Sequence, residues 1–174
     1  MSSTFLLLCS LLLAGPLSAA STAPTFAGLS VGMSRVALLD TLRLSPRFQG
    51  ADVTTDSNTV TIAAPANAPF LDQKVPFNSI KCLFNRKKDI QALTFIFPAR
   101  LTDEVIAVYQ SLLPLLGEPA ERSSDKVGFQ LEAEWHRGPY DASFFSSDVD
   151  FESYLLMAYR SFVKEEEARG NRSE

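Results

Sequence analysis

Histidine, tryptophan and cysteine are nearly missing from this 174-residue chain, which has one His, one Trp and two Cys. Any Ser-His-Asp or Cys-His site must therefore use His136. Zinc takes three or four His, Cys or carboxylate ligands, and one His and one Cys on separate segments do not supply them. No Gly-x-Gly-x-x-Gly or phosphate loop is present, so no cofactor and no metal are expected. Asp148, Asp150 and Glu152 alternate, but without the glycine-bearing loop of a calcium site. Basic residues never cluster: the densest run, Arg86-Lys87-Lys88, is closed at once by Asp89. With a formal net charge of −4, that argues against nucleic acid or an anionic membrane as partner.

Long apolar runs are also absent. The one at residues 5–13 falls short of the roughly 20 residues needed to cross a bilayer. Residues 1–20 contain no Asp, Glu, Lys or Arg, and the apolar run is followed by Gly15-Pro16 and then by Ser18, Ala19, Ala20 and Ser21. This order of apolar segment, breaker and small residues predicts a secretory signal cut after Ala19 or Ala20. A periplasmic or secreted protein with no membrane span after cleavage follows. Cys9 leaves with the signal; it is preceded by Leu8, not by the small residue that lipidation needs. Cys82 then stands alone, so no intramolecular disulfide can form. It shares a strand face with Ile80 and Phe84, the setting of a buried, inert thiol. An odd cysteine in an exported chain also allows an intermolecular bond in a homodimer.

Roughly 154 residues remain after cleavage, which fits one domain, 21–163, followed by a polar tail, 164–174, expected to fray. A chain of that size buries about 68–70% of its unfolded surface and holds by packing alone. Residues 34–43 predict a helix, with Ser34 as N-cap, Val36, Leu38, Leu39 and Leu42 as an apolar stripe, and Pro46 as the stop. Residues 59–63 predict a strand. Pro65, Pro69 and Pro76 make 64–76 a loop. Residues 78–84 and 90–97 flank five polar residues as a hairpin.

The strongest helical pattern is 102–116, with Asp103 and Glu104 in its first turn and Val105, Ile106, Tyr109, Leu112, Leu113 and Leu116 at helical spacing. Pro114 is expected to kink or end it near Leu113, and Gly117 and Pro119 close it. Residues 127–136 alternate: Phe129, Leu131, Ala133 and Trp135 face one way, and Gln130, Glu132, Glu134 and His136 the other, the pattern of a strand with one wet face. Strands at 140–145 and 151–162 complete the set. The fold class is α+β: two tandem αβββ units, about 26–98 and 99–163, forming an antiparallel sheet with the helices packed on one face.

Leu29-Ser30-Val31-Gly32-Met33-Ser34, followed by Leu38 and Leu42, resembles the helix-opening motif of exported αβββ proteins. In these, Gly-Met-Ser/Thr opens a helix and Leu-Gly-x-Pro closes it, as Leu116-Gly117-Glu118-Pro119 does here. Envelope assembly lipoproteins of the SmpA/OmlA type carry this motif, and the β-lactamase inhibitory proteins are similar in fold. The first helix here runs into Arg43-Leu44-Ser45-Pro46 without the glycine, and no lipid-bearing cysteine opens the mature chain. The resemblance implies a protein-binding module and assigns no partner contact to any residue.

Candidate contacts come from the residues themselves. Tyr140, Phe145 and Tyr154 cluster around the last hairpin with aromatics on both strand faces, and interfaces are enriched in aromatic residues. Glu132 and Glu134 lie on the wet face, about 7 Å apart by the strand rise. His136 reads as a solvated neighbour of Glu134. The expectation is an exported, non-catalytic module that binds another protein, as an inhibitor, immunity factor or envelope assembly factor. The alternatives are a small hydrolase using Glu132 or Glu134, since paired acids serve glycoside hydrolysis, and a carrier of a small apolar ligand held between helix and sheet.

Overall fold

The structure is a computed structural model describing residues 23–63, 77–97, 103–125, 130–147 and 152–170. The first helix, α1 (Arg35–Leu44), begins where the Ser34 hydroxyl accepts a 3.2 Å hydrogen bond from the Ala37 amide. Leu38 is its buried contact with the core, whereas Val36 and Leu39, expected in the same stripe, are exposed. Ser45 is extended, as a residue before proline prefers, and a 3-10 turn, Pro46–Phe48, then buries Phe48.

Eight strands follow, interrupted by one helix. They are β1 (Asp52–Thr55), β2 (Thr59–Ala63), β3 (Ser79–Phe84) and β4 (Ile90–Ile96), then α2 (Asp103–Leu116), then β5 (Glu121–Asp125), β6 (Gln130–Arg137), β7 (Tyr140–Ser147) and β8 (Glu152–Tyr159). All pair antiparallel in one sheet, ordered β1-β2-β3-β4-β8-β7-β6-β5. The α+β class with an antiparallel sheet is as the sequence predicts. Each of α1 and α2 is followed by four strands instead of three. The additional strands, β1 and β5, are the two edges of the sheet. A third helix, α3 (Arg160–Gly170), begins where a strand was expected to run on to 162, and it takes in most of the segment expected to fray. No described helix is long and apolar enough to cross a membrane.

Strand register divides the sheet into two faces. On the inner face, Ile80 opposes Phe95, Phe95 opposes Leu155, and Leu155 opposes Phe144. Phe26 and Phe77 meet the Phe95 ring edge-on, and Tyr109 of α2 lies against Trp135 and Phe144. The space between α2 and the sheet is thus filled ring against ring. Both α1 and α2 belong to this inner layer, with Leu38, Val108 and Leu112 in the same buried cluster. Cys82 is also there, fully buried, and burial pushes its thiol pKa up to about 12. Its burial is as expected, and its sulfur does not reach the surface.

The glycines of the helix-opening and helix-closing motifs have geometric roles. Gly32 has φ +85, and a Cβ there would meet the Tyr159 hydroxyl at 2.6 Å. Its amide donates to the Ile90 carbonyl, while Met33 accepts from the Ile90 amide, so the Gly-Met-Ser segment pairs with the start of β4. Gly117, φ +74, ends α2, and the Arg137 guanidinium occupies the place of its absent Cβ. Arg137 Nε donates to the Leu116 carbonyl at 2.6 Å, and Trp135 Nε1 donates to that of Gly117 at 2.8 Å. These bonds satisfy carbonyls that a helix terminus leaves open. The helix α2 runs through Pro114 to Leu116. In the last turn the proline removes one donor, and the bond from the Gly117 amide to the Leu113 carbonyl (2.7 Å) closes the helix beyond it.

Candidate functional site

The outer face of the sheet carries the polar and aromatic side chains that alternate with the core. Register arranges them in rows. One row runs Ile96, Tyr154, Phe145, Glu132, Ser123; the next runs Thr94, Leu156, Ser143, Glu134, Glu121; a third runs Ala92, Ala158, Asp141, His136. Cross-strand neighbours in such rows lie about 4.5–5.5 Å apart at Cβ, so side chains from five strands converge on one surface.

The structure brings together four of the five contact residues chosen from the sequence. Phe145 and Tyr154 stack, with ring centroids 5.4 Å apart and planes 28° apart, and both are half-buried. Ile96, next in the row, is 38% exposed. Glu132 stands beside Phe145 and accepts a long bond, 3.5 Å, from the Ser123 hydroxyl; Glu134 is its neighbour in the next row. Tyr140 does not join them. It is 4% exposed and belongs to the inner face with Ala142 and Phe144. The period-2 alternation of β7 separates Tyr140 from Phe145 by an odd number of residues and so puts them on opposite faces. Asp148 and Asp150 lie outside the described residues.

His136 is more constrained than a solvated surface histidine. Its Nδ1 lies 2.9 Å from Asp141 Oδ1, directly across the strand pair. Asp141 also accepts from Arg160, through Nη2 at 2.8 Å and Nε at 3.2 and 3.3 Å. The Arg160 hydrogen bond holds the Asp141 carboxyl below its usual range, with a further contribution from His136, against the opposing effect of burial. Arg160 opens α3, so this carboxylate ties the third helix to the outer face. The expectation that all helices share one face therefore fails at α3. Reading 151–162 as one strand concealed Arg160. The signal that finds it is the helix-forming run Lys164-Glu165-Glu166-Glu167-Ala168-Arg169 closed by Gly170.

Depressions mark this face, among them one of about 410 Å³ lined by His136, Asp141, Arg160, Val163 and Lys164, and two others. One, about 350 Å³, lies between α3 and the sheet and is lined by Glu134, His136, Asp141, Ser143, Leu156 and Val163 among others. A smaller one, about 190 Å³, is lined by Glu121, Arg122, Ser123, Glu132 and Glu134. Chemically the face combines a stacked aromatic pair, an acidic side formed by β5 and β6, and a histidine oriented by a buttressed carboxylate.

No family model matches the chain, and no curated protein matches it. Among solved structures it is similar to a DUF4309 family protein, YjgB, from Bacillus subtilis, at 10% identity over 76% of this chain and 83% of that one, with a TM-score of 0.43. At that distance the likeness assigns neither a family nor a function.

Proposed function

We propose that the chain is an exported, non-catalytic module that binds another protein across the outer face of its sheet. The observation that carries this reading is the stacked Phe145–Tyr154 pair, which sits on the outer face beside half-exposed Ile96 and acidic Glu132. An aromatic anchor with a charged rim is the usual make-up of a protein interface. Export rests on the order of residues in the first twenty positions. The resemblance to envelope assembly lipoproteins and β-lactamase inhibitory proteins points the same way. Catalysis by Glu132 and Glu134 draws less support, because the depression they line is small. An apolar-ligand carrier draws less still, because Trp135, Tyr109 and Phe144 fill the space between α2 and the sheet.

The test is site-specific photo-crosslinking in the cells that make the protein. A benzophenone side chain at Ile96 is expected to trap one discrete partner, and the same group at Val36, on the opposite layer, is expected to trap none. Equal crosslinking from both positions, or none from Ile96, overturns the reading.

A further inference from the structure

The depression between α3 and the outer face has a definite chemistry. Asp141, held ionised by Arg160, can only accept hydrogen bonds. The 2.9 Å contact therefore makes His136 Nδ1 the donor, and in the neutral ring Nε2 then carries the lone pair. Glu134, two residues earlier on the same strand face, contributes a carboxylate that makes no hydrogen bond among the described residues. Ser143, opposite Glu134, contributes a hydroxyl. The rest of the lining is apolar: Leu156 and Ala158 from β8, and Val163 from α3. The polar groups of this 350 Å³ space are thus the Glu134 carboxylate, the Ser143 hydroxyl and the His136 ring, set over an aliphatic floor. Beyond Glu134 the row ends in Glu121, and Glu132 lies alongside, so the negative field extends across β5 and β6. The basic groups nearby are Arg160, already engaged by Asp141; Arg122, which lies over the Tyr109 ring and lines the smaller depression beside Glu134; and exposed Lys164, which lines an adjoining depression with His136 and Asp141.

The geometry points to a lysine side chain of the partner as the occupant of this depression. The inference rests on the binding role argued above and names the chemistry of its partner. A lysine offers a four-carbon stem for Leu156, Ala158 and Val163, and a compact ammonium with three donors for Glu134 and Ser143, and for His136 Nε2 where the ring is neutral. An acidic side chain is repelled by Glu134, whose carboxylate accepts from a basic one. The row of Phe145 and Tyr154 is one two-residue step along the strands from Ser143 and Leu156, a spacing of about 7 Å. An extended partner segment therefore places a lysine in the depression and, two residues away, an apolar side chain on the aromatic stack. The chain's net charge of −4 favours encounter with such a basic segment.

The experiment is titration of the isotope-labelled protein with a blocked pentapeptide, Ser-Lys-Thr-Phe-Ser, followed by amide shifts and calorimetry. A second peptide has norleucine in place of lysine. The lysine peptide is expected to perturb His136, Ser143, Leu156 and Val163, and to bind at least tenfold more tightly than the norleucine peptide. Glu134→Gln is expected to remove that preference without changing the thermal midpoint, and Phe145→Ala to weaken both peptides alike. Equal affinity for the two peptides, shifts confined to another face, or a preference that survives Glu134→Gln overturns the lysine site. If the lysine preference is missing while Ile96 still crosslinks a partner, only this inference falls. If the crosslink is missing too, the binding role falls with it.

Discussion

Asp141 joins three elements through one carboxylate. It receives Arg160 from α3 and His136 from β6 while standing on β7, and its side chain is only about a quarter exposed (26%). The Arg160 hydrogen bond depresses its folded pKa, so this group adds stability at every pH above the unfolded carboxyl value near 4. That contribution fades as pH falls from there through the lower folded value. Asp141→Asn should therefore cost about 1 kcal/mol at neutral pH, the scale of a partly exposed ion pair. The difference between wild type and variant should close below about pH 4. Denaturant midpoints measured down the acid limb check this; a gap that is absent at neutral pH, or that persists in strong acid, contradicts it. At this scale the sequence was informative in part. Alternation placed Glu132, Glu134 and His136 on the wet face and Trp135 in the core, as found. It did not reveal the partner of His136, because a cross-strand neighbour depends on hairpin register and Arg160 comes from a helix that was read as strand.

Among the elements, α2 shows how a helix end is held from outside. Gly117 supplies a left-handed residue, and Trp135 and Arg137, two residues apart on β6, reach the Gly117 and Leu116 carbonyls. Gly50 offers a natural comparison: its φ is +77, but an added Cβ would meet nothing within 4 Å. Gly50→Ala should cost only the left-handed strain, about 1 kcal/mol. Gly117→Ala should cost about 1–2 kcal/mol more, because Arg137 is also displaced from its carbonyl. For a domain of this size that extra loss is a thermal shift of roughly 2–8 °C, and equal shifts for the two variants would count against the capping account. The helices and inner strands were legible because they must bury one face: α1, α2, β2, β3 and β4 lie within a residue or two of their predicted bounds. The edge strands were not. Glu121-Arg122-Ser123-Ser124-Asp125 has no apolar residue, and β1 is exposed at all four positions. Their strand character comes from the ladder of a neighbour, which local composition does not encode. The last segment was misread for a related reason. Beyond Tyr159 the apolar residues Phe162 and Val163 prolong a strand-like pattern, yet the backbone has already turned into a helix.

In the molecule as a whole, the two four-stranded halves meet along a single seam, β4 against β8, where Leu93 opposes Met157 and Phe95 opposes Leu155. The inner core runs across that seam as one cluster, from Phe26 to Trp135. The halves should therefore unfold together. Phe95→Ala removes a ring packed against Phe26 and Phe77 and should cost about 3–5 kcal/mol. Trp135 lies in the other half and is the sole tryptophan, so its fluorescence reports on that half alone. Its midpoint in the variant should fall in step with that of the far-ultraviolet signal; two separated transitions would show that the halves are independent.

The seam also dictates an order of assembly. Within each half every pairing joins strands adjacent in sequence, so each meander can form as its residues emerge, N-terminus first, on the far side of the membrane. The strand that β4 needs on its free side is the last to emerge, after α2 and three further strands. In that interval β4, reading Ile-Gln-Ala-Leu-Thr-Phe-Ile, is an uncapped edge rich in apolar residues, the kind of template that pairs with other chains. The emerging protein is thus at its most aggregation-prone when it is half across, and arrival of β8 ends that exposure.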